Sequence, residues 1–193
     1  MRRVLPIALL WGLGLLLLGA VSVPTLLANQ FPGEDDSPIQ VEAQFTVPDG
    51  DEPARLYITA KIRKPWHIYS ITQKKGGPLP TKISLAPSDG YAMEGEFVAS
   101  PPPDQKTEPE LYPDLVIETH EDEVTWYAPI EFTGVDPSSL KIEGKINVQA
   151  CDDQACLPPK NYPFTATLGE GVEVEEPTAS PEGAAVAHPA AGL

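Results

Sequence analysis

Basic residues are scarce in this chain. It has 13 lysines and arginines against 28 aspartates and glutamates in 193 residues, a formal net charge of −15 at pH 7. A nucleic-acid-binding surface neutralises phosphates with lysine and arginine, so this balance argues against a nucleic-acid-binding protein. The same shortage disfavours binding to anionic membrane surfaces.

Helical periodicity is also missing from the middle of the chain. Residues 38–168 contain no long stretch in which hydrophobic residues recur with a period of 3.6, and the 23 prolines are spread along the sequence. Because a proline inside a helix costs about 3 kcal/mol, this composition opposes a helical bundle. We therefore expect an all-β domain.

The N-terminal segment is apolar and follows a short basic start. After Met1–Arg3 there is no charged residue from Val4 to Ala28, which is typical of a signal peptide or of an N-terminal membrane anchor. Residues 1–28 are predicted to be one of these two, and the small residues Ala20-Val21-Ser22 offer a cleavage site. The basic end should stay in the cytoplasm, which places the chain after Gln30 in the periplasm, anchored in the inner membrane if residues 4–28 are retained.

The composition divides the rest of the chain into three parts. Residues 29–37 form an acidic linker, and residues 38–168 are long enough to bury one hydrophobic core. Residues 169–193 contain five glutamates and no lysine or arginine. Such a segment cannot bury enough apolar surface to offset its ordering entropy, so it is predicted to be a disordered tail.

Hydrophobic and polar residues alternate along several stretches of the domain, which indicates strands with one buried face. Clusters of glycine, proline and aspartate separate these stretches as turns. Several short strands divided in this way predict a β-sandwich of immunoglobulin-like type, although the Cys…Trp…Cys spacing of true immunoglobulin domains is absent. The alternating stretches are residues 39–47, 56–62, 83–85, 124–132, 140–150 and 162–168.

The two cysteines are the candidate chemical groups. Cys151 and Cys156 have four residues between them, and they follow a run that ends at Ala150 and precede one that begins near Tyr162. At the tip of such a hairpin their Cα atoms would be roughly 4.5–5.5 Å apart, within reach of a disulfide. Closing so small a loop removes only about 2 kcal/mol of chain entropy. A redox-active bond is therefore favoured, and a structural staple is the alternative.

A metal site has little support in the sequence. A structural zinc site needs four ligands, and besides the two cysteines the candidates are His67, His120 and His188. His67 lies between Trp66 and Ile68 and is interpreted as a packed or surface residue. We expect no metal and no cofactor other than the cysteine pair itself.

Three segments resemble one protein family. The segment from Val148 to Pro159 is similar to the active-site hairpin of the N-terminal periplasmic domain of DsbD, the thiol:disulfide interchange reductase. Trp66–Ser70 with Gly76–Thr81 resembles the segment before a central strand of those domains, and Phe97–Tyr112 resembles their cap-loop region. The resemblance covers about Ile39 to Leu168. It implies an immunoglobulin-like fold and a domain that passes electrons from a membrane reductase to oxidised extracytoplasmic thioredoxin-like proteins.

The sequence departs from the family in two respects. Some members have five residues between the cysteines, where this chain has four. The chain also ends without the membrane domain or the C-terminal thioredoxin domain of full-length DsbD, so its electron donor is expected to be another polypeptide. The client is left open between cytochrome c maturation, disulfide isomerisation and metal–thiol maintenance.

The resemblance assigns roles to the cysteines and their neighbours. It implies that Cys156 attacks the partner's disulfide and that Cys151 resolves the mixed disulfide. Asp152 and Asp153 either disfavour a thiolate by their charge or are ordinary turn residues.

Aromatic residues and a loop are expected to surround the sulfurs. Trp66, Tyr69 and Tyr112 are candidates for shielding them or for docking a partner, and Trp66 is as well explained as a core residue. The proline-rich stretch Ser100–Tyr112 is expected to cover the cysteines until a partner docks. The alternative function is a non-catalytic immunoglobulin-like binding or scaffold module.

Overall fold

The computed structural model of the protein describes residues 37–176. The predictions for residues 1–28, for residues 29–36 of the linker and for the tail from residue 177 onward lie outside the described residues. Within residues 37–176, no helix has the length and apolar character needed to cross a membrane.

The described part of the chain is built from strands and one short 3₁₀-helix. The short helix spans Pro137–Ser139, and Asp136 caps it by accepting a hydrogen bond from the Ser138 backbone N–H. The strands are β1 (Ile39–Phe45), β2 (Arg55–Ile62), β3 (His67–Tyr69), β4 (Lys82–Leu85), β5 (Tyr91–Met93), β6 (Val98–Ser100), β7 (Asp104–Thr107), β8 (Val116–His120), β9 (Glu123–Phe132), β10 (Ile142–Val148), β11 (Ala150–Cys151) and β12 (Lys160–Leu168).

The strands form two sheets in a sandwich-like arrangement. The larger sheet has the order β4-β10-β12-β1-β2-β9-β5, with β6 also paired to β9, and the smaller sheet has the order β11-β3-β8-β7. The pairing of β1 with β12 is parallel, and β1 with β2 is antiparallel from Ile39 opposite Ile62 to Phe45 opposite Leu56. The predicted all-β, immunoglobulin-like sandwich is confirmed.

One apolar core lies between the sheets. Alternate residues of the long strands point into it, so Leu56, Ile58 and Ala60 of β2 are fully buried, as is Trp126 of β9. Ile68 contributes to the same core from the smaller sheet. The period-two alternation in the sequence therefore identified the core-facing side of these strands.

The opposite face of β2 and β9 is also buried, which the alternation did not predict. Tyr57 and Tyr127 are 6% and 4% exposed, and their rings stack with centroids 6.3 Å apart. The Thr59 and Thr125 hydroxyls beside them are hydrogen-bonded at 2.8 Å. A segment that follows β12 lies over part of this face.

That segment is residues 169–176, here called the C-terminal strap. The Gln44 side chain makes two hydrogen bonds to Gly171, donating to its carbonyl and accepting from its N–H. Farther along, the Glu175 N–H donates to Ser100 Oγ, and the Glu175 carbonyl accepts from the Tyr127 hydroxyl. Over these residues the structure differs from the predicted disordered tail, because their polar groups find partners on the sheet.

Candidate redox site

The chain changes sheets immediately before the first cysteine. β10 pairs with β12 only from Ile142 to Val148, and the next two residues, Ala150 and Cys151, pair instead with Ile68 and His67 of β3. The sequence predicted one continuous strand that ends at Ala150, immediately before Cys151. This prediction is wrong, because β10 and β11 are separate strands in different sheets. Since β3 belongs to the smaller sheet, the chain has to leave β12 in order to pair with it.

The cysteines form a narrow hairpin of their own. Cys151 and Cys156 are directly opposite each other in an isolated antiparallel bridge, and hydrogen bonds flank them from Leu157 N–H to the Ala150 carbonyl and from Asp152 N–H to the Ala155 carbonyl. Bonds on both sides of a pair mark a non-hydrogen-bonded position, where side chains approach most closely. The two sulfurs are joined in a disulfide, with the Cα atoms 4.0 Å apart.

Cys156 lies outside the outgoing strand, because β12 starts at Lys160. Pro158 and Pro159 lie between them, and proline has no N–H to donate to a strand pairing. Cys156 therefore sits on a short exposed segment before the strand.

The two sulfur-bearing residues differ strongly in burial. Cys151 is 1% exposed, whereas Cys156 and the residues on either side of it are exposed. Side chains opposite each other in a sheet share a face, so Cys151 lies on the face that carries His67 and Tyr69, away from the main core. A molecule approaching the hairpin from solvent would meet Cys156 first.

A small apolar group covers Cys151 on this face. Its buried members are Tyr69, Ile117 and Cys151, and Tyr112 and Leu115 pack against them; these five residues are here called the outer cluster. The turn before β8 brings Tyr112 and Leu115 over the smaller sheet, held by hydrogen bonds from the Leu111 and Tyr112 N–H groups to the Glu108 carbonyl.

Gly77 makes room for this cover. A Cβ atom at this position would collide with the Leu115 side chain and would lie 3.6 Å from Ile117 and from Tyr112. The segment around Gly77 can therefore approach the outer cluster only because it carries no side chain there.

A cavity of about 390 Å³ opens beside the disulfide hairpin. His67 and Tyr69 line one side of it, with their rings edge to face at 5.4 Å between centroids. Asp152 and Asp153 line the side formed by the hairpin. The remaining lining residues come from the turn and its surroundings, namely Pro78, Lys106, Glu108, Leu111, Tyr112 and Ile117.

Burial, and to a smaller extent the charged groups around this cavity, shift the pKa of His67. Burial lowers the pKa of His67, and the Lys106 ammonium lowers it further, while the carboxylates of Glu121, Asp153 and Glu108 act in the opposite direction. Burial has the larger effect, so the imidazole is neutral at pH 7.

Asp152 acts as a turn residue. Its carboxylate accepts hydrogen bonds from the backbone N–H groups of Gln154 and Ala155 at 2.8 and 2.7 Å. These bonds lower the pKa of Asp152, because they favour the charged carboxylate. Asp153 is exposed and makes up part of the cavity wall.

The aromatic candidates separate into two groups. Tyr69 and Tyr112 lie against Cys151 in the outer cluster, whereas Trp66 packs against the main core. Of the predicted covering stretch Ser100–Tyr112, residues 104–107 are the edge strand β7, and the part from Lys106 to Tyr112 reaches the cavity.

Sequence reasoning missed several residues of this site. Ile117 and Leu115 in the cover, and Lys106 in the cavity wall, carry no motif that marks them. His67 was interpreted as a packed or surface residue, yet it lies directly opposite Cys151. Its position two residues before Tyr69 on a short strand was the available signal, since alternate strand residues share a face.

The fold and the site together define an immunoglobulin-like domain with a disulfide in which one cysteine is exposed and the other is buried. Residues 35–167 match the family described as thiol:disulfide interchange protein DsbD, N-terminal, and the chain belongs to this family. No curated protein matches its sequence significantly.

Among the solved structures that are similar to this chain is the N-terminal periplasmic domain of ScsB from Proteus mirabilis, with 18% sequence identity and a TM-score of 0.44. The match covers 69% of this chain and 47% of that chain, so this protein spans about half the length of that structure.

Proposed function

We propose that this protein exchanges thiols and disulfides outside the cytoplasm, taking electrons from a membrane reductase and passing them to oxidised thioredoxin-like proteins through Cys151 and Cys156. The observation that carries the proposal is the unequal burial of the disulfide, with Cys156 exposed and Cys151 1% exposed. A sulfur that a partner can reach and a second sulfur held behind it are what a two-step exchange requires. Membership of the DsbD N-terminal family supports the same activity.

The two cysteines have distinct roles in this exchange. The Cys156 thiolate attacks one sulfur of the partner's disulfide and forms the mixed disulfide. Cys151 then attacks Cys156, which closes the internal disulfide and releases the partner with two thiols. Cys151 needs no large movement for this step, because the hairpin already holds it opposite Cys156 with 4.0 Å between Cα atoms.

The outer cluster is proposed to protect the resolving sulfur. With Tyr69 and Tyr112 packed against Cys151, small oxidants in solution have poor access to that thiol between encounters with partners. A docking partner would contact the exposed hairpin and the rim of the neighbouring cavity. The apolar residues 4–28 support export of the domain, with or without retention in the membrane.

A redox titration tests this function. The protein is equilibrated with glutathione buffers of increasing reducing strength, and its thiols are counted by mass spectrometry after alkylation. We expect two thiols to appear together at a potential well above about −300 mV, below which structural disulfides typically lie. The domain should stay folded, since the bridge stabilises it by about 2 kcal/mol or less.

The same titration distinguishes the proposed exchange activity from the alternative function, a binding or scaffold module. In such a module the disulfide would be a structural staple. A bond that remains oxidised throughout the glutathione range, or a domain that unfolds when it is reduced, would contradict the proposed exchange activity.

A further inference from the structure

The burial of Cys151 hinders the loss of its thiol proton. To attack Cys156 in the mixed disulfide, Cys151 must lose its thiol proton, because the thiolate is the nucleophile. With 1% of the residue exposed, the proton has poor access to bulk water. A neighbouring side chain that can accept the proton would remove this obstacle.

His67 occupies the position where such an acceptor is needed. It is directly opposite Cys151 in the pairing of β3 with β11, so the two side chains share one face of the smaller sheet. His67 also lines the cavity beside the hairpin. The imidazole is thus on the same face of the sheet as the buried sulfur and at the wall of the cavity.

The other groups around the cavity are poorer acceptors. A lysine ammonium has no lone pair with which to accept a proton, which excludes Lys106, and burial raises the pKa of the Tyr69 phenol, 3.4 Å from His67 Nε2, so the phenol is neutral. The carboxylates nearby are those of Asp152, Asp153, Glu108 and Glu121, and a carboxylate is a weaker base than an imidazole. Transfer of the proton to imidazole is therefore the least uphill of these routes.

We infer that His67 is the proton acceptor for Cys151 in the resolving step, an inference that rests on the proposed exchange function. The Cys151 S–H bond breaks and the proton moves to the imidazole. The Cys151 sulfur forms a bond to Cys156 while the bond between Cys156 and the partner's sulfur breaks, and the electron pair leaves on that sulfur. The imidazolium returns its proton to the departing thiolate, so the partner's disulfide has gained two electrons and two protons in all.

The test uses a small disulfide in place of a protein partner. The reduced full-length protein is mixed with 5,5′-dithiobis(2-nitrobenzoic acid) in a stopped-flow spectrophotometer. The first coloured thiolate appears when Cys156 attacks the reagent, and the second appears when Cys151 resolves the mixed disulfide. A Cys151→Ala variant, which should release only the first, identifies the phases.

The second phase of His67→Gln should be slower by about tenfold or more, since a positioned general base typically contributes 10²–10⁴-fold. In the unaltered protein its rate should rise with pH through the titration of His67 and then level off. In the variant it should instead keep rising toward the titration of an unassisted thiol near pH 8.5. Gln105→Ala is the matched control, because Gln105 is on β7 with its side chain bonded to Glu118 on the other face.

Chemical rescue separates proton transfer from a structural effect. In His67→Ala, free imidazole in the buffer should restore part of the second-phase rate, and it should have no effect on the unaltered protein. A second phase within twofold of the unaltered rate with the same pH profile would overturn the inference, as would a slowed phase with an unchanged profile and no rescue. If the protein resolves this reagent but does not exchange with thioredoxin-like proteins, the proposed function fails and the role of His67 stands.

Discussion

Cys151 and Cys156 are joined in one disulfide, yet only Cys156 is open to solvent. Cys151 lies on the face of the smaller sheet beneath Tyr69 and Ile117, and it is 1% exposed. This asymmetry comes from the pairing of β11 with β3, which directs Cys151 toward the outer cluster. Cys156 lies at the edge of the sheet, where no further strand within residues 37–176 pairs with its segment. The two residues should therefore behave differently in every exchange reaction.

Single cysteine variants should trap a partner unequally. Cys151→Ala leaves the accessible sulfur without its resolving partner, so it should accumulate a mixed disulfide with an oxidised extracytoplasmic thioredoxin-like protein. Cys156→Ala should accumulate little. A non-reducing gel of the two variants after incubation with that partner measures the difference, and equal trapping by both would refute the assignment of roles.

Tyr112 should limit the access of reagents to Cys151. In a Cys156→Ala background, Tyr112→Ala should raise the rate at which iodoacetamide alkylates Cys151 by about tenfold, because losing a partly buried ring weakens the cover by about 1.5 kcal/mol or more. Leu111→Ala is the control, since Leu111 belongs to the same turn and is 72% exposed. If both substitutions change the rate equally, the outer cluster does not protect the sulfur.

His120 should make the domain less stable in mild acid. Burial lowers the pKa of His120 to about 4, although Asp104 and Glu118 oppose the shift. Its ring packs edge to face on Trp126, and within residues 37–176 its Nε2 atom has no hydrogen-bond partner. The folded state therefore keeps His120 neutral at a pH where the unfolded chain has already protonated it near 6.5.

The sign of the pH effect follows from this difference. As pH falls from about 6.5 to about 4, His120 binds a proton in the unfolded state but not in the folded state. About 3 kcal/mol of stability is therefore lost across this window. Urea denaturation of the unaltered protein and of His120→Leu at several pH values checks the prediction. The variant should lose less stability across the window, and an identical loss would show that His120 does not contribute.

The C-terminal strap should stabilise the larger sheet. Ending the chain at Leu168 removes the hydrogen bonds of Gly171 and Glu175 and the ion pair of Glu176 with Arg55. It also uncovers Tyr57 and Tyr127. We expect a loss of about 2–4 kcal/mol, since each of these four hydrogen bonds contributes about 0.5–1 kcal/mol and the surface ion pair little.

A second truncation provides the comparison for the strap. A chain that ends at Glu176 keeps all of these contacts and should unfold at the urea concentration of the full-length protein. Tyrosine fluorescence and urea midpoints measure both forms. If the chain ending at Leu168 is as stable as the one ending at Glu176, the strap makes no net contribution.

Some strands of this fold could be predicted from the sequence and others could not. The long strands β1, β2, β9 and β12 alternate over seven or more residues, and alternation over that length reports which side is buried. β3, β5 and β6 have three residues each and β11 has two, too few to establish a period. β3 and β11 pair at the site, so their pairing had to come from the structure.

The sequence by itself determined the all-β class, the family and the location of the cysteine pair on a short hairpin, because these depend on neighbouring residues. Only the tertiary structure decided which sulfur is buried, that His67 faces Cys151, and that the strap covers Tyr57 and Tyr127. Each of these depends on a pairing or contact between residues far apart in the chain, such as Cys151 with His67 and Gln44 with Gly171. Such contacts form when the whole core packs, and no local pattern of hydrophobic and polar residues specifies them.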